Sequence, residues 1–159
     1  MQLREGDLFS MAELKQGGFS AQQLRTAGFD ARAMRAGLYA INELLRVGYT
    51  KEDLVEGGFT AADFKAAGSS AEELLAIGMT PVQMREGGFG AAELKAAGCT
   101  AQDLYDGGFK PSVLKAAGFS AAELRELGLS AYVLKKVGFS PPRPRNTHGA
   151  CPNGKHPPN

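Results

Sequence analysis

The sequence has 159 residues, a net charge of +1, and 43% hydrophobic and 22% charged residues, a composition typical of globular proteins. No apolar run approaches the roughly 18 residues that a membrane span needs, and the first residues lack the apolar core of a secretory signal, so an intracellular location is the default expectation. A nearly balanced charge also argues against a general nucleic-acid-binding protein, which needs a basic surface.

Residues 1–10 differ from the chain that follows them. Leu3-Arg4-Glu5-Gly6 is similar to half of the repeating unit described below, but Asp7-Leu8-Phe9 is out of phase with it. We therefore expect residues 1–10 to form an irregular N-terminal cap, with a partner-binding end as the alternative.

From residue 11 to residue 140 the chain consists of ten-residue repeats with the consensus A-x-E-L-K-x-A-G-F-S/T and no insertion or deletion between them. Position one is mostly Ala, position four is always Leu, Met or Phe, and position nine is usually aromatic. The exceptions at position nine are Ser69, Met79, Cys99 and Leu129, and we interpret Cys99 as a buried small hydrophobe. Positions one, four and seven share one helical face, which predicts that this face is buried.

The residues around each repeat boundary predict a short helix. Ser120 is a good N-cap, Glu123 is placed to complete a capping box, and Gly128 falls where a left-handed C′ residue follows a helix of about seven residues. Pro81 and Pro111 both follow such a cap position, where a missing N–H costs nothing. Acids at position three and bases at position five also match the helix dipole.

One repeat breaks the pattern at its end. Gly37 comes one residue early and Leu38 occupies the usual glycine position, so we expect a distorted C-cap in this repeat.

Apolar residues also recur every five residues, a period typical of pentapeptide-repeat proteins with a right-handed β-helix. Residues such as Gln22, Arg32 and Glu52 would then have to fill a narrow interior, where large polar groups are unfavourable. The short-helix interpretation is therefore preferred. Because two-turn helices do not persist alone in water, the fold class that we predict is an all-α solenoid, stabilised by stacking of the repeats at 11–140. Neither its handedness nor the number of repeats per turn follows from the sequence.

The array Gly118-Phe119-Ser120-Ala121-Ala122-Glu123-Leu124 resembles the G-F-S/T-A-x-E-L-K-x-A decapeptide repeats predicted in many proteins of algae, other eukaryotic microbes and some large viruses. The resemblance extends from residue 11 to residue 140. It implies a short-helix solenoid, and it implies no catalytic residue because those arrays have no established common activity.

The segment 141–159 has no apolar periodicity, and we expect a Pro-rich extended tail. Its three basic residues, Arg143, Arg145 and Lys155, give it a charge of +3 and leave −2 of the net +1 for residues 1–140. The run Pro141, Pro142, Arg143, Pro144 and Arg145 fits a polyproline II ligand of an aromatic groove, although a plain spacer is the simpler interpretation. His148, Cys151 and His156 provide three potential metal ligands, one fewer than a structural zinc site needs, so we expect no metal or cofactor, with a metal shared between chains as the alternative.

The repeats provide no constellation of residues for catalysis. Capping explains the position-three acids, and helix termination explains the Gly-Gly pairs. Because residues 1–140 also contain no histidine that could act with these acids, we expect no enzymatic activity. The exceptions at position five, together with Tyr132 at position two, are apolar residues on a nominally solvated face, and they form the candidate protein contact: Leu45, Val55, Leu75, Tyr105 and Tyr132. The leading hypothesis is a structural building block or scaffold, with a filament as one form, that associates with itself or other proteins. The alternative is a binding module that uses this face or the tail.

Overall fold

The computed structural model describes residues 9–140, and within them every repeat contains one six-residue α-helix and no strand. Each helix is followed by four connecting residues, so the helices are one residue shorter than the sequence predicts. Their bounds are α1 Met11–Gln16, α2 Ala21–Thr26, α3 Ala31–Ala36, α4 Ile41–Arg46, α5 Lys51–Glu56, α6 Ala61–Ala66, α7 Ala71–Ala76, α8 Pro81–Glu86, α9 Ala91–Ala96, α10 Ala101–Asp106, α11 Pro111–Ala116, α12 Ala121–Glu126 and α13 Ala131–Lys136. The all-α prediction is thus confirmed for the described repeats. None of these helices is long and apolar enough to cross a membrane.

The N-terminus of most helices is closed by a capping box. In α12, the Glu123 backbone N–H donates to Ser120 Oγ at 3.2 Å, and Glu123 Oε2 accepts from the Ser120 backbone N–H at 2.7 Å. The same reciprocal pair is present at α1, α2, α5, α6, α7, α8 and α10, with Gln in place of the acid at α2 and α8. Pro81 and Pro111 are the first residues of their helices, as predicted. These bonds satisfy backbone donors that a six-residue helix cannot satisfy internally.

The C-terminus of every described helix except α12 forms a Schellman turn with two backbone hydrogen bonds. In the turn that ends α9, the Cys99 N–H donates to the Leu94 carbonyl and the Gly98 N–H donates to the Lys95 carbonyl, both at 3.0 Å. The position-eight glycines have positive φ values, Gly98 at 95°, which side chains other than glycine rarely adopt. The prediction of a distorted C-cap after α3 is wrong. Leu38 adopts φ 58° and its N–H bonds the Arg35 carbonyl, so the turn keeps its geometry and the strain falls on Leu38.

The helices form two columns, because the contacts between turns join a helix to the helix two positions further along the chain. Such contacts join α1 to α3, α3 to α5, α7 to α9 and α9 to α11 in the odd-numbered column, and α6 to α8 and α8 to α10 in the even-numbered column. One superhelical turn therefore contains two repeats. This number is the part of the architecture that the sequence left open.

The apolar positions of all repeats form one continuous core. Position four is almost fully covered in every repeat, from Leu24 and Phe64 to Leu124. Position one contributes buried alanines such as Ala21 and Ala61, and position nine contributes Tyr39, Phe89 and Phe119. Cys99 is partly buried and packs against this core, which corrects the expectation of full burial. Because neighbouring turns supply most of the cover, the helices are stable only as a stack.

Candidate protein-contact surface

The position-five cations lie along the seam between successive turns. Lys95 Nζ donates to the Gly118 carbonyl at 2.5 Å, Lys65 Nζ donates to the Gly88 carbonyl at 2.8 Å, and Arg85 Nε donates to the Gly107 carbonyl at 2.8 Å. Each of these carbonyls lies in the turn that follows the helix two positions on, where the helix dipole is negative. These position-five bases, which match the helix dipole of their own repeats, therefore also make contacts between turns.

Six of the position-five cations lie over position-nine rings. The Lys95 Nζ is 4.3 Å from the centre of the Phe119 ring, and the Lys65 Nζ is 4.5 Å from the centre of the Phe89 ring. Equivalent contacts join Lys15 to Tyr39, Arg25 to Tyr49, Arg35 to Phe59 and Lys115 to Phe139. In each case the ring belongs to the second repeat after that of the cation, so cation–π attraction and carbonyl binding support the same stacking geometry.

The position-three carboxylates act as helix caps. Hydrogen bonds donated by the Ser120 side chain and backbone lower the pKa of Glu123, and those of Thr100 lower the pKa of Asp103. A hydrogen bond from Lys51 is the largest cause of the lowered pKa of Glu73, whose Oε2 lies 3.0 Å from the Lys51 Nζ. These acids are therefore held ionised by local donors, and their geometry is that of structural groups.

The five apolar candidates for a protein contact are divided between the two columns. Leu45 and Tyr105 belong to helices of the even column, whereas Val55, Leu75 and Tyr132 belong to helices of the odd column. Leu45 and Val55 are partly buried and pack against the core, and Leu75 is also partly buried. Tyr105 is 37% exposed and Tyr132 is 74% exposed. The structure therefore leaves the two tyrosines as the accessible members and does not bring all five together on one column.

Sequence reasoning missed other exposed apolar side chains. Leu38 is 78% exposed, and Phe19 is 43% exposed, although Phe89 and Phe119 at the same position of later repeats are buried. Val82 and Val113 are also exposed. The exposure of Leu38 could have been predicted from its place at the left-handed C′ position of a Schellman motif, because a side chain there points away from the helix.

Open depressions lie between successive turns of the described repeats, and they differ in the chemistry of their linings. One is lined by the charged residues Arg25, Arg32, Asp53 and Glu56, and another by Val55, Phe59 and Met79. Among residues 9–140 no group of three or more His, Cys, Asp or Glu side chains could hold a metal ion. Burial is the main cause of the raised pKa of the Cys99 thiol, which disfavours a nucleophilic thiolate. The tail candidates Pro141, Pro142, Arg143, Pro144, Arg145, His148, Cys151 and His156 lie outside the described residues.

Comparison with known proteins agrees with this repeat architecture. The model of a family described as the decapeptide repeat region matches the chain twice, at residues 8–81 and 78–147. Neither the curated proteins nor the solved structures contain a match.

Proposed function

Since the chain belongs to the decapeptide repeat family, we propose that it is a non-enzymatic structural protein, a rod of stacked turns that serves as a scaffold or building block of a larger assembly. The observation that carries this proposal is the repetition of one interface between turns along residues 9–140. At each interface between turns, a position-five side chain of one turn lies near a position-nine side chain of the next, so the same interface can be repeated.

The first described turn supports association with a second copy. Phe19 is 43% exposed, whereas Phe119 at the same position of an interior repeat is buried, and within the described residues no basic side chain lies over the Phe19 ring. A last turn of another molecule carries the matching type of group, since Arg125 and Lys135 occupy position five. Stacking of one end on the other is a heterologous contact, which produces filaments when it does not close.

The proposal is tested by light scattering and negative-stain microscopy over a concentration series. We expect particles that lengthen with concentration for the full chain, and weaker association for Phe19→Ser. Leu38→Ser is the matched control, because it removes an apolar side chain that is also exposed but belongs to the second turn. A strict monomer at all concentrations, with the full chain and with a chain that ends at Ser140, would refute self-assembly.

A second candidate function is a binding module that holds another protein at the candidate contact residues, of which Tyr105 and Tyr132 are accessible, or through the Pro-rich tail. The exposure of Tyr105 and Tyr132 favours it, because exposed tyrosines are common at the centres of protein interfaces. Pull-downs with Tyr105→Ala and with the chain that ends at Ser140 separate the two sites. Val82→Ala, an exposed position on the same column, is the control. Retention of the partner by both altered proteins would exclude this function.

A further inference from the structure

Within residues 9–140, basic residues at position five lie over the aromatic ring at position nine of the second repeat after them. Six such pairs have a cation over an aromatic ring, with distances to the ring centre from 4.3 Å at Lys95–Phe119 to 6.0 Å at Arg35–Phe59. A seventh basic residue, Arg85, donates a hydrogen bond to the carbonyl of Gly107, two residues before Phe109. Between residues 11 and 140 the array contains eleven pairs related in this way, these seven and four others.

The four remaining pairs lack both halves of the cation–π contact. Wherever position five is not basic, position nine of the second repeat after it is not aromatic, and the reverse is also true without exception. The pairs are Leu45 with Ser69, Val55 with Met79, Leu75 with Cys99, and Tyr105 with Leu129. Val55 and Met79 line the same depression between two turns, which places this pair at the seam that the cationic pairs occupy.

The two kinds of pair are each consistent with their surroundings. A lysine at the seam gains from a ring face and a carbonyl oxygen, both of which partly replace its lost hydration. Opposite Met79 or Cys99 the ring is absent, so a cation would keep only part of that compensation, whereas an apolar side chain extends the core. Val55 and Cys99 are accordingly among the partly buried residues that pack against the core.

We propose that these position-five and position-nine pairs are a matching rule by which each turn of the solenoid recognises the turn that belongs on it. The rule fixes the order and register of repeats that are otherwise nearly identical. A slip by one repeat would place Lys65 opposite Cys99 and Leu75 opposite Phe109, and would therefore create mismatches of both kinds. The proposal gives the substitutions at position five a role inside the stack, and it does not depend on the scaffold function.

A double-mutant cycle tests the rule on its best-formed pair. Lys95→Val and Phe119→Met, made singly and together, convert this pair into the Val55–Met79 type. We expect the double variant to lose less stability than the two single variants combined, with a coupling of about two- to fivefold in the unfolding equilibrium constant, the size of a partly exposed cation–π contact. The control cycle combines Lys95→Val with Phe109→Met, because Phe109 is also buried but belongs to the pair of Arg85.

The reverse conversion, Val55→Lys with Met79→Phe, gives an independent reading. The double variant should again lose less stability than the two single variants combined. Coupling in both matched cycles and none in the control supports the rule. The rule would be overturned if the effects of the single substitutions on the unfolding equilibrium constant simply multiplied in the matched cycles. Equal coupling in the control cycle would overturn it as well.

Discussion

The phenol oxygen of Tyr39 donates a hydrogen bond of 2.6 Å to the backbone carbonyl oxygen of Phe19, which holds the same position two repeats earlier in the chain. Tyr49 makes the same bond to Phe29 at 2.5 Å. Burial raises the pKa of both phenols, so the hydroxyl groups remain protonated donors. These two bonds join equivalent points of successive turns and define the two-repeat turn of the stack.

Removal of one of these hydroxyl groups should weaken the contact between two turns. We expect Tyr39→Phe to lower the free energy of unfolding by about 1 kcal/mol, because the Phe19 carbonyl loses its partner while the ring stays in place. Tyr132→Phe is the matched control and should have no measurable effect, since that side chain is 74% exposed. Urea unfolding followed by circular dichroism gives both values. Equal effects of the two substitutions would contradict the role of the Tyr39 hydroxyl group.

The left-handed residue Leu38 should be a site where glycine stabilises the fold. Leu38 has φ 58° and a largely exposed side chain, so Leu38→Gly removes backbone strain and loses little burial. We expect a gain of about 0.5–1 kcal/mol, which is the left-handed penalty less the extra chain entropy of glycine. The converse substitution at the same position of another repeat, Gly68→Leu, should cost about 1–2 kcal/mol, although its side chain would point into open space. Loss of stability in Leu38→Gly would count against this account of the turn.

Close packing between turns should make two glycines at position seven respond differently to alanine. A Cβ atom added at Gly87 would lie 2.5 Å from the Cβ of Ala61 in the preceding turn, whereas at Gly17 the nearest atom is the Glu13 carbonyl oxygen of its own helix at 3.3 Å. Both glycines have negative φ, −74° at Gly87 and −69° at Gly17, so alanine causes no backbone strain at either. We expect Gly87→Ala to cost about 1–3 kcal/mol through overpacking and Gly17→Ala to be neutral or slightly stabilising. Differential scanning calorimetry on the two variants decides, and equal melting temperatures would exclude this contact between turns.

The capping carboxylates should make the protein less stable in acid. Their hydrogen bonds lower the pKa of Glu13, Asp53, Glu93 and Glu123 below the values of the unfolded chain. A lowered pKa contributes stability above the unfolded pKa, and this contribution is lost as the pH falls through the folded pKa. We therefore expect the melting temperature to fall between about pH 5 and pH 3. Glu123→Gln is the control, because Gln23 and Gln83 form the same cap without a charge, and it should reduce the dependence on pH. A melting temperature that rises on acidification would contradict the capping role.

Much of the local structure was predictable because its causes lie within one repeat. A single repeat specifies the start, the buried side and the end of its helix, as α12 does through Ser120, Glu123, Leu124 and Gly128. The number of repeats per turn was not predictable in this way, since it depends on how successive connections add up in space. The sequence does contain a sign of this number, because a basic residue at position five is always accompanied by an aromatic residue at position nine two repeats later. The contacts in the structure were needed to recognise it.

The candidate contact residues show the same division between local and distant causes. Tyr132 was correctly placed at the surface, because its position within the repeat is enough to expose it. The partial burial of Leu45 depends on the neighbouring turn, and no residue of its own repeat indicates it.

The two-repeat turn is tested most directly by nuclear Overhauser effects from the ε-methylene protons of Lys95. The account predicts contacts with the ring of Phe119, accompanied by an upfield shift of these protons, because the Nζ atom lies 4.3 Å from the centre of that ring. Contacts with Phe109 instead would indicate one repeat per turn, and contacts with Leu129 would indicate three. Either result would contradict a solenoid in which two short helices complete each turn.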